Sequence, residues 1–258
     1  MSRSLFRDNS GYKKAMVKVQ KADGSFEEYS EDKVRTSLAR AGADAKTITR
    51  ITEHINTKLF EGISSQDIYA LIYNELKRQN HMLVSRYNLK RAIMQLGPSG
   101  YPFERFVAGV LASQGYTTEV SQLVPGECVY HEVDVVAQKD GKRAMIECKF
   151  HNHPGTKSKI QTILYTYARF MDVSMHNEFH DAWLVTNTKV TKEVIEYAKC
   201  KGLTVIAWDY PNHMSLRKMI EDSNLHPITA LDHLSHERKR KLLDEGVVFV
   251  KDLKDNQM

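Results

Sequence analysis

A run of turn-forming residues, Gly97-Pro98-Ser99-Gly100, is the feature that most constrains how this chain can fold. A cluster of such residues ends helices and strands and marks a break between folded segments. The segment before the run has the apolar spacing of helices, whereas the segment after it soon alternates as strands do. With 258 residues, the chain is long enough for two domains. We therefore expect two domains that meet near residues 97–100.

The segment 15–97 is predicted to be a β-hairpin followed by a small helical bundle, after a loose lead-in at 1–14. The hairpin strands alternate around a turn-forming Ala-Asp-Gly-Ser sequence. Ser30 has the side chain of a helix N-cap, and Ser64 or Ser65 caps a later helix. The hairpin is predicted at 16–20 and 26–29, and the helices at 30–42, 45–60, 65–79 and 82–96.

The segment 100–210 is predicted to be an α/β domain with element order αβββαβαβ. Antiparallel hairpins lead into a βαβ crossover, which indicates a mixed sheet with helices on both faces. The first helix ends near residue 115. The later elements are strands at 117–124, 130–138 and 143–150, a helix at 157–172, a strand at 182–187, a helix at 190–201 and a strand at 203–208. Residues 213–258 are predicted to add a small module of three short helices.

Composition excludes several classes of protein. Apolar residues make up 41% and charged residues 27%, as in folded soluble proteins. No window has the roughly 18 apolar residues needed to cross a bilayer, and the N-terminus lacks a hydrophobic signal core. We expect a cytoplasmic chain without membrane contact. Cys128, Cys148 and Cys200 are too widely spaced for a zinc knuckle and are read as reduced thiols. A net charge of +5 permits a polyanionic partner without establishing one.

Three charged residues on two predicted strands carry the strongest chemical signal. Asp134 lies between two valines, so strand alternation directs its side chain away from their face. Glu147 and Lys149 are two residues apart on the next strand and therefore share a face. If residues 139–142 form the turn between these strands, all three charged side chains meet at one place.

Phosphodiester hydrolysis requires such a set of groups. Carboxylate oxygens can hold Mg²⁺ or Mn²⁺, and a nearby cation can position or deprotonate water and offset developing negative charge. Asp134 and Glu147 would bind the metal, Lys149 would act on the water, and the carbonyl oxygen of Cys148 would be a further ligand. The simpler alternative is a surface cluster of ion pairs.

Residues 100–210 resemble the PD-(D/E)xK, restriction-endonuclease-like superfamily, especially its Mrr-like and archaeal junction-resolvase branches. The resemblance rests on the element order and on the aspartate, glutamate and lysine just described. It implies that a glutamate on the preceding helix completes the metal site, and Glu104 occupies that position. It also implies a Gln-x-x-x-Tyr pair on the following helix, which Gln161 and Tyr165 match. Gln161 would orient the site or contact a phosphate, or it is an ordinary helix residue.

Three histidines depart from this pattern or lie beside it. His131 stands where a small residue is common in the family. It could contact a metal or the substrate, or it is an ordinary buried or surface histidine. His151 and His153 follow the lysine closely. They could contact phosphate, or they belong to a polar loop.

Residues 16–97 resemble the ATP-cone domain, which binds ATP or deoxyATP. The resemblance rests on the hairpin, the helix after it and the Gly-Ile-Ser-Ser-Gln-Asp-Ile sequence. It implies that Lys21 and Lys33 hold phosphates, that Ser65 supports them at a helix N-terminus, and that Glu27 and Ser30 line the pocket. An arginine of the family pattern is replaced by Ala22. The alternative is a helical module that binds DNA or a protein partner.

The C-terminal segment alternates leucines with the basic run at 236–241 and resembles a small helix-hairpin-helix-type unit. Such units contact the DNA backbone. Alternatively, the leucines pack on the nuclease domain and the basic face is solvated.

These features predict a Mg²⁺- or Mn²⁺-dependent DNA endonuclease whose N-terminal domain binds adenine nucleotide and regulates cutting or oligomerisation, and they allow a homo-oligomer. One alternative is a nucleotide-sensing DNA-binding regulator with an inactive nuclease fold. The other is an RNA nuclease of the same chemistry.

Overall fold

A computed structural model describes residues 17–78, 81–175 and 178–253. The lead-in predicted at 1–14 lies outside these ranges, as do the last five residues of the module predicted at 213–258. The N-terminal part begins with an antiparallel hairpin, as predicted. Its elements are β1 (Lys18–Gln20), β2 (Phe26–Glu28), α1 (Glu31–Arg40), α2 (Ala45–Lys58), α3 (Ser65–Lys77), α4 (His81–Tyr87) and α5 (Leu89–Met94).

Side-chain caps begin three of these helices, among them α1 and α3. The hydroxyl oxygen of Ser30 accepts the backbone N–H of Lys33 at 3.3 Å, which confirms Ser30 as the N-cap of α1. Ser64, rather than Ser65, caps α3 and forms a capping box with Asp67. The hairpin and both helix starts therefore follow local sequence signals.

The apolar spacing predicts one helix over 82–96, but α4 and α5 are separate and belong to different cores. The side-chain oxygen of Asn88, between them, accepts the Tyr69 hydroxyl group at 2.6 Å. Val84 of α4 packs in the core of the N-terminal part. Ile93 of α5 packs instead in the core of the C-terminal part. Helix α5 thus joins the two parts through packing as well as through the chain.

The C-terminal part is built on a mixed five-stranded sheet, as predicted. Its elements are α6 (Tyr101–Ser113), β3 (Thr117–Pro125), β4 (Tyr130–Lys139), β5 (Lys142–Lys149), β6 (Lys157–Ser158), α7 (Ile160–Ser174), β7 (Asp181–Thr186), β8 (Lys189–Val190), α8 (Lys192–Lys201) and β9 (Thr204–Ile206). The strand order is β3-β4-β5-β7-β9, with antiparallel pairs up to β5 and parallel pairs beyond it. Strands β6 and β8 form a separate parallel pair.

Helices cover both faces of this sheet. On one face, α6 contributes Phe103 and Phe106 to a core that also holds residues of α5 and of the C-terminal helices. On the other face, α7 and α8 contribute Ile163 and Val194 to a second core. The α/β fold class with an N-terminal, mostly helical part is confirmed. In the described part of the chain, no helix is long and apolar enough to cross a membrane.

The C-terminal helices pack their apolar residues onto the first core. They are α9 (Leu216–Ser223), a 3-10 helix (Ile228–Ala230), α10 (His236–Asp244) and a second 3-10 helix (Val250–Asp252). Leu242 and Leu243 of α10 are buried there, whereas Arg240 and Lys241 are exposed. Gly109 of α6 makes room for Phe249, since a Cβ at that glycine would lie 2.3 Å from the phenylalanine ring. The packing agrees with the alternative in which the leucines lie on the α/β domain.

Candidate active site

Strands β4 and β5 stop pairing at the two predicted carboxylates. Their register runs from Lys139 opposite Lys142 to Val135 opposite Ile146. The next opposing residues would be Asp134 and Glu147, where the ladder ends. Instead of a ladder bond, the Oδ2 atom of Asp134 accepts the backbone N–H of Cys148 at 2.7 Å. The two carboxylates therefore flank the point where the strands separate, as strand alternation predicts.

Burial, with contributions from neighbouring carboxylates, raises the pKa of three acidic groups around this point. Burial raises the pKa of Asp134, although the Cys148 N–H and the charge of Arg169 act in the opposite direction. Burial, followed by the charge of Asp134, raises the pKa of Glu147. Burial raises the pKa of Glu104 to about 7, with contributions from Asp134, Glu132 and Glu147. The site thus holds more negative charge than its own cations offset.

Arg169 of α7 is a residue of this site that the sequence analysis missed. Its Nη1 atom forms an ion pair with Oε2 of Glu147, and its Nη2 atom donates to the backbone oxygen of Glu132. The guanidinium is buried and lies over the ring of Tyr165, 5.3 Å from its centre. Glu132 was also missed, although its carboxylate adds to the charge around Glu104.

The spacing along α7 could have identified Arg169. Gln161, Tyr165 and Arg169 follow one another at intervals of four residues, which places them on one face of a helix. Gln161 and Tyr165 are exposed at the N-terminal end of this row, while Arg169 reaches into the site. The Gln-x-x-x-Tyr pair is therefore the start of a longer row of polar and aromatic side chains.

Lys149 and Cys148 point in different directions at the end of β5. Lys149 is exposed, and its ammonium group forms no ion pair with any residue that the structure describes. Its positive charge nevertheless lowers the pKa of both Asp134 and Glu147. The Cys148 side chain is buried in the core with the residues of α6, so its thiol faces away from the carboxylates.

Two of the three histidines have side-chain hydrogen bonds within the protein. Nε2 of His131 lies 2.7 Å from Oδ2 of Asp172, and this hydrogen bond is the main reason that the pKa of Asp172 falls to about 2. Nε2 of His151 lies 2.9 Å from the hydroxyl of Ser158, and burial lowers the pKa of His151. His153 is exposed in the loop after β5. Both histidines that follow Lys149 therefore lie on the chain segment directly after β5.

Whether the predicted ligands fit a metal depends on charge and on distance. Within residues 17–78, 81–175 and 178–253, no three His, Cys, Asp or Glu side chains converge closely enough to enclose an ion. The donors are nevertheless hard carboxylate oxygens in a partly buried site with excess negative charge. That chemistry fits a divalent cation such as Mg²⁺ or Mn²⁺. One oxygen of Glu147 is occupied by Arg169 instead.

The residues predicted to bind nucleotide gather beside the hairpin. Glu27 pairs with Lys21 at 3.2 Å and also with Lys33, so one carboxylate joins the two predicted phosphate ligands. Ser30 begins α1 and Ser65 is the first residue of α3. Strand β1 also bonds to the chain just before α3, because the Gln20 N–H donates to the Ile63 carbonyl at 3.0 Å. All five predicted residues therefore lie on connected elements.

The hairpin turn also touches the loop that follows Lys149. A Cβ placed on Gly155 would lie 3.2 Å from the Cβ atom of Asp23 in the turn. A Cβ on Gly97 would lie 2.5 Å from both Phe150 and Asn152 of the same loop. The loop at 150–156 is therefore packed between the N-terminal hairpin and the Gly-Pro-Ser-Gly run.

Comparison with known families agrees with both predicted parts. A family model described as restriction endonuclease matches residues 97–215, and one described as ATP cone domain matches residues 17–93. An uncharacterized protein of Archaeoglobus fulgidus is 41% identical over 147 residues, which is 57% of this chain and 83% of the relative. The chain belongs to the same family as this relative, and its two segments match the restriction endonuclease and ATP cone domain models. Its restriction-endonuclease domain holds the carboxylate site, and its ATP cone domain holds the hairpin.

Two solved structures are similar to this chain. The crystal structure of the protein of unknown function AF1548 is 40% identical, with a TM-score of 0.55 over 60% of this chain and 82% of that chain. A repair endonuclease from Pyrococcus abyssi is 14% identical, with a TM-score of 0.33 over 42% of this chain and 46% of that chain.

Proposed function

We propose that this chain is a metal-dependent DNA endonuclease that hydrolyses phosphodiester bonds and is regulated by ATP or deoxyATP at its ATP cone domain. One observation carries the catalytic part. Asp134 and Glu147 flank the point where β4 and β5 separate, and the pKa of nearby Glu104 is raised to about 7 partly by their charges. Carboxylates that repel one another at close range favour the binding of a cation between them.

Asp134, Glu147, Glu104 and the carbonyl oxygen of Cys148 are the groups that would hold Mg²⁺ or Mn²⁺. A divalent cation there would supply Lewis-acid polarisation of the phosphate and a lower pKa for a bound water. Lys149 would orient the water or take its proton and offset negative charge on the phosphate. Gln161, exposed at the start of α7, would contact a neighbouring phosphate of the substrate.

The catalytic proposal is tested by single-turnover cleavage of supercoiled, linear and branched DNA with Mg²⁺. Glu147→Gln should abolish cutting, and Lys149→Met should slow the chemical step by about 10²-fold or more. The matched controls are Glu119→Gln and Lys142→Met, exposed residues of the same sheet, which should cut at the parent rate. Cutting by Glu147→Gln at the parent rate would remove the assignment.

The Arg169–Glu147 ion pair favours a second function, a DNA-binding regulator whose nuclease fold is inactive, because a buried guanidinium occupies a predicted metal ligand. DNA binding without cleavage of any substrate in Mg²⁺ or Mn²⁺ would support that function. An RNA substrate of the same sequence, included in the assay, separates the RNA nuclease from the DNA nuclease.

The regulatory part is supported by the two lysines that share Glu27. Exposed ion pairs contribute little net stability, about 0–1 kcal/mol each, so a triphosphate could displace the carboxylate from Lys21 and Lys33. Isothermal titration of the full chain with ATP or deoxyATP tests this binding. Lys21→Ala combined with Lys33→Ala should remove it, and absence of binding to the parent would leave the ATP cone domain as a DNA- or partner-binding module.

A further inference from the structure

A cavity of about 550 Å³ lies between the two domains, away from the carboxylate site. Its walls come from α1, α3, α4 and α5 on one side and from the chain at 208–226 on the other. Pockets that bind small molecules have volumes of about 300–1,000 Å³. None of the five residues predicted to bind nucleotide lines this cavity. It is therefore a separate space of suitable size.

The cavity carries an excess of positive charge. Five cationic side chains line it, but only two acidic ones, and both acids are paired with the same cation. That cation is Arg217, which bonds Asp209 at 2.8 Å and Glu221 at 3.5 Å. The other four form no ion pair with a described residue; they are Arg40, Arg86, Lys90 and Arg91.

The unpaired cations are held close together. An added Cβ on Gly42, next to the end of α1, would lie 3.0 Å from Nη1 of Arg86, so Arg86 reaches the end of the helix that carries Arg40. Lys90 lies over the ring of Trp208, 5.6 Å from its centre. Burial lowers the pKa of Lys90; the charge of Asp209 opposes this effect, whereas the charges of Lys189, Lys21 and Arg217 add to it. Neighbouring cations repel one another, and a bound anion would relieve that repulsion.

We propose that this interdomain cavity is a binding site for a small phosphate-bearing anion, held by Arg40, Arg86 and Lys90 against the wall formed by Trp208. Guanidinium groups suit phosphate because their planar N–H donors bind two oxygens at once. Nucleotides and inorganic polyphosphates share this chemistry. An occupant would contact both domains, because the arginines belong to the ATP cone domain and Trp208 to the C-terminal part.

A short segment links the tryptophan wall to the candidate active site. The Trp208 N–H donates to the Thr188 carbonyl at 2.9 Å. Asn187, next to Thr188, is fully buried and accepts the His151 N–H at 2.8 Å. Thr186 lies opposite Lys149 in the parallel register of β5 and β7. An anion that holds Trp208 in place would therefore also affect the position of Lys149. Its effect on cleavage rests on the proposed function.

The binding site itself is tested without any cleavage assay, by isothermal titration of the full chain with inorganic tripolyphosphate, ATP and adenosine. Arg40→Gln combined with Arg86→Gln should weaken tripolyphosphate binding by about tenfold or more, because two charge-assisted contacts are lost. Both arginines are exposed, so the fold should persist. Lys90→Met, which removes the charge and keeps a long side chain, should also weaken binding. The charge-matched control is Lys142→Gln with Lys199→Gln.

A variant without the two hairpin lysines separates the cavity from the predicted nucleotide site. With Lys21→Gln and Lys33→Gln in place, tripolyphosphate should still bind, and adding the two arginine changes should then remove that binding. Equal affinity for tripolyphosphate and ATP would identify the phosphate chain as sufficient, and tighter ATP binding would identify a nucleotide; both support the site. Unchanged binding in the arginine variant, no binding to the parent, or complete loss in the hairpin variant alone would overturn it.

Discussion

The Oδ2 atom of Asp134 accepts the backbone N–H of Cys148 at 2.7 Å, where the ladder between β4 and β5 ends. The carboxylate therefore satisfies a buried backbone donor as well as contributing negative charge to the site. An alanine there would leave this N–H unpaired, whereas an asparagine would keep an oxygen that can accept it.

Asp134→Ala and Asp134→Asn should consequently separate stability from activity. Both should lose cleavage. Only the alanine variant should lose stability, by about 1–3 kcal/mol for an unpaired buried donor. That loss corresponds to roughly 2–4 °C in melting temperature per kcal/mol for a chain of this size. Thermal melting and single-turnover cleavage measure the two effects. Equal melting temperatures for the two variants would show that the hydrogen bond to Cys148 contributes nothing measurable.

Arg169→Met should make divalent cations bind more tightly. The guanidinium holds an oxygen of Glu147 and repels an incoming cation. Its removal should raise Mn²⁺ affinity by about tenfold, equivalent to about 1.4 kcal/mol. Titration calorimetry of the full chain with Mn²⁺ provides the measurement. Arg143→Met is the control, because Arg143 also stacks on an aromatic ring, that of Phe179, but at the other end of β5. An unchanged Mn²⁺ affinity would contradict competition between Arg169 and the metal.

Glu104 should make the metal-free protein less stable as pH rises. Burial, aided by neighbouring carboxylates, raises its pKa to about 7 in the folded chain, against about 4.3 in an unfolded one. Between these values the folded chain binds the extra proton, so the free energy of unfolding falls with increasing pH. Glu104→Gln should therefore stabilise the protein more at pH 8 than at pH 5.

Denaturant unfolding at both pH values, in a chelator, measures this difference. Glu119→Gln, on the exposed face of β3, should give no pH-dependent change. If Glu104→Gln shifts stability equally at pH 5 and pH 8, the carboxyl group does not titrate in this range.

Gly155→Ala should reduce the effect of ATP on the rate of DNA cleavage. The new Cβ would lie 3.2 Å from Cβ of Asp23, so the hairpin turn and the loop after Lys149 must shift relative to each other. The ratio of cleavage rates with and without ATP should move towards one, while ATP affinity stays within a factor of about two. Thr156→Ala, an exposed neighbour, is the control. A parent-like rate ratio in Gly155→Ala would exclude this contact as a route of regulation.

Local patterns were sufficient to predict most of the elements, although not the division of α4 from α5 or the short strands β6 and β8. The turn residues at 139–142 and the alternation around Asp134 and Glu147 depend only on neighbours in the chain, and the structure places both carboxylates where the ladder ends. The N-cap at Ser30 is equally local.

Contacts between distant segments could not be predicted in the same way. Arg169 reaches Glu147 across 22 positions, and nothing around a lone arginine on a helix specifies a strand carboxylate as its partner. His131 looked like a possible ligand because its partner Asp172, 41 positions away, carries no sequence signal that connects the two. The interdomain cavity depends on how α4, α5 and α9 pack together, which periodicity does not determine.

The position of α5 has a consequence for how the molecule unfolds. By sequence this helix lies largely within the segment matched by the ATP cone domain, but Leu89 and Ile93 complete the hydrophobic core of the restriction-endonuclease domain. A chain divided at residue 97 would give one fragment with exposed leucines and another with a hole in its core. Heating should therefore melt the two domains in a single cooperative transition, because unfolding of either domain would disturb α5 and, with it, the other domain.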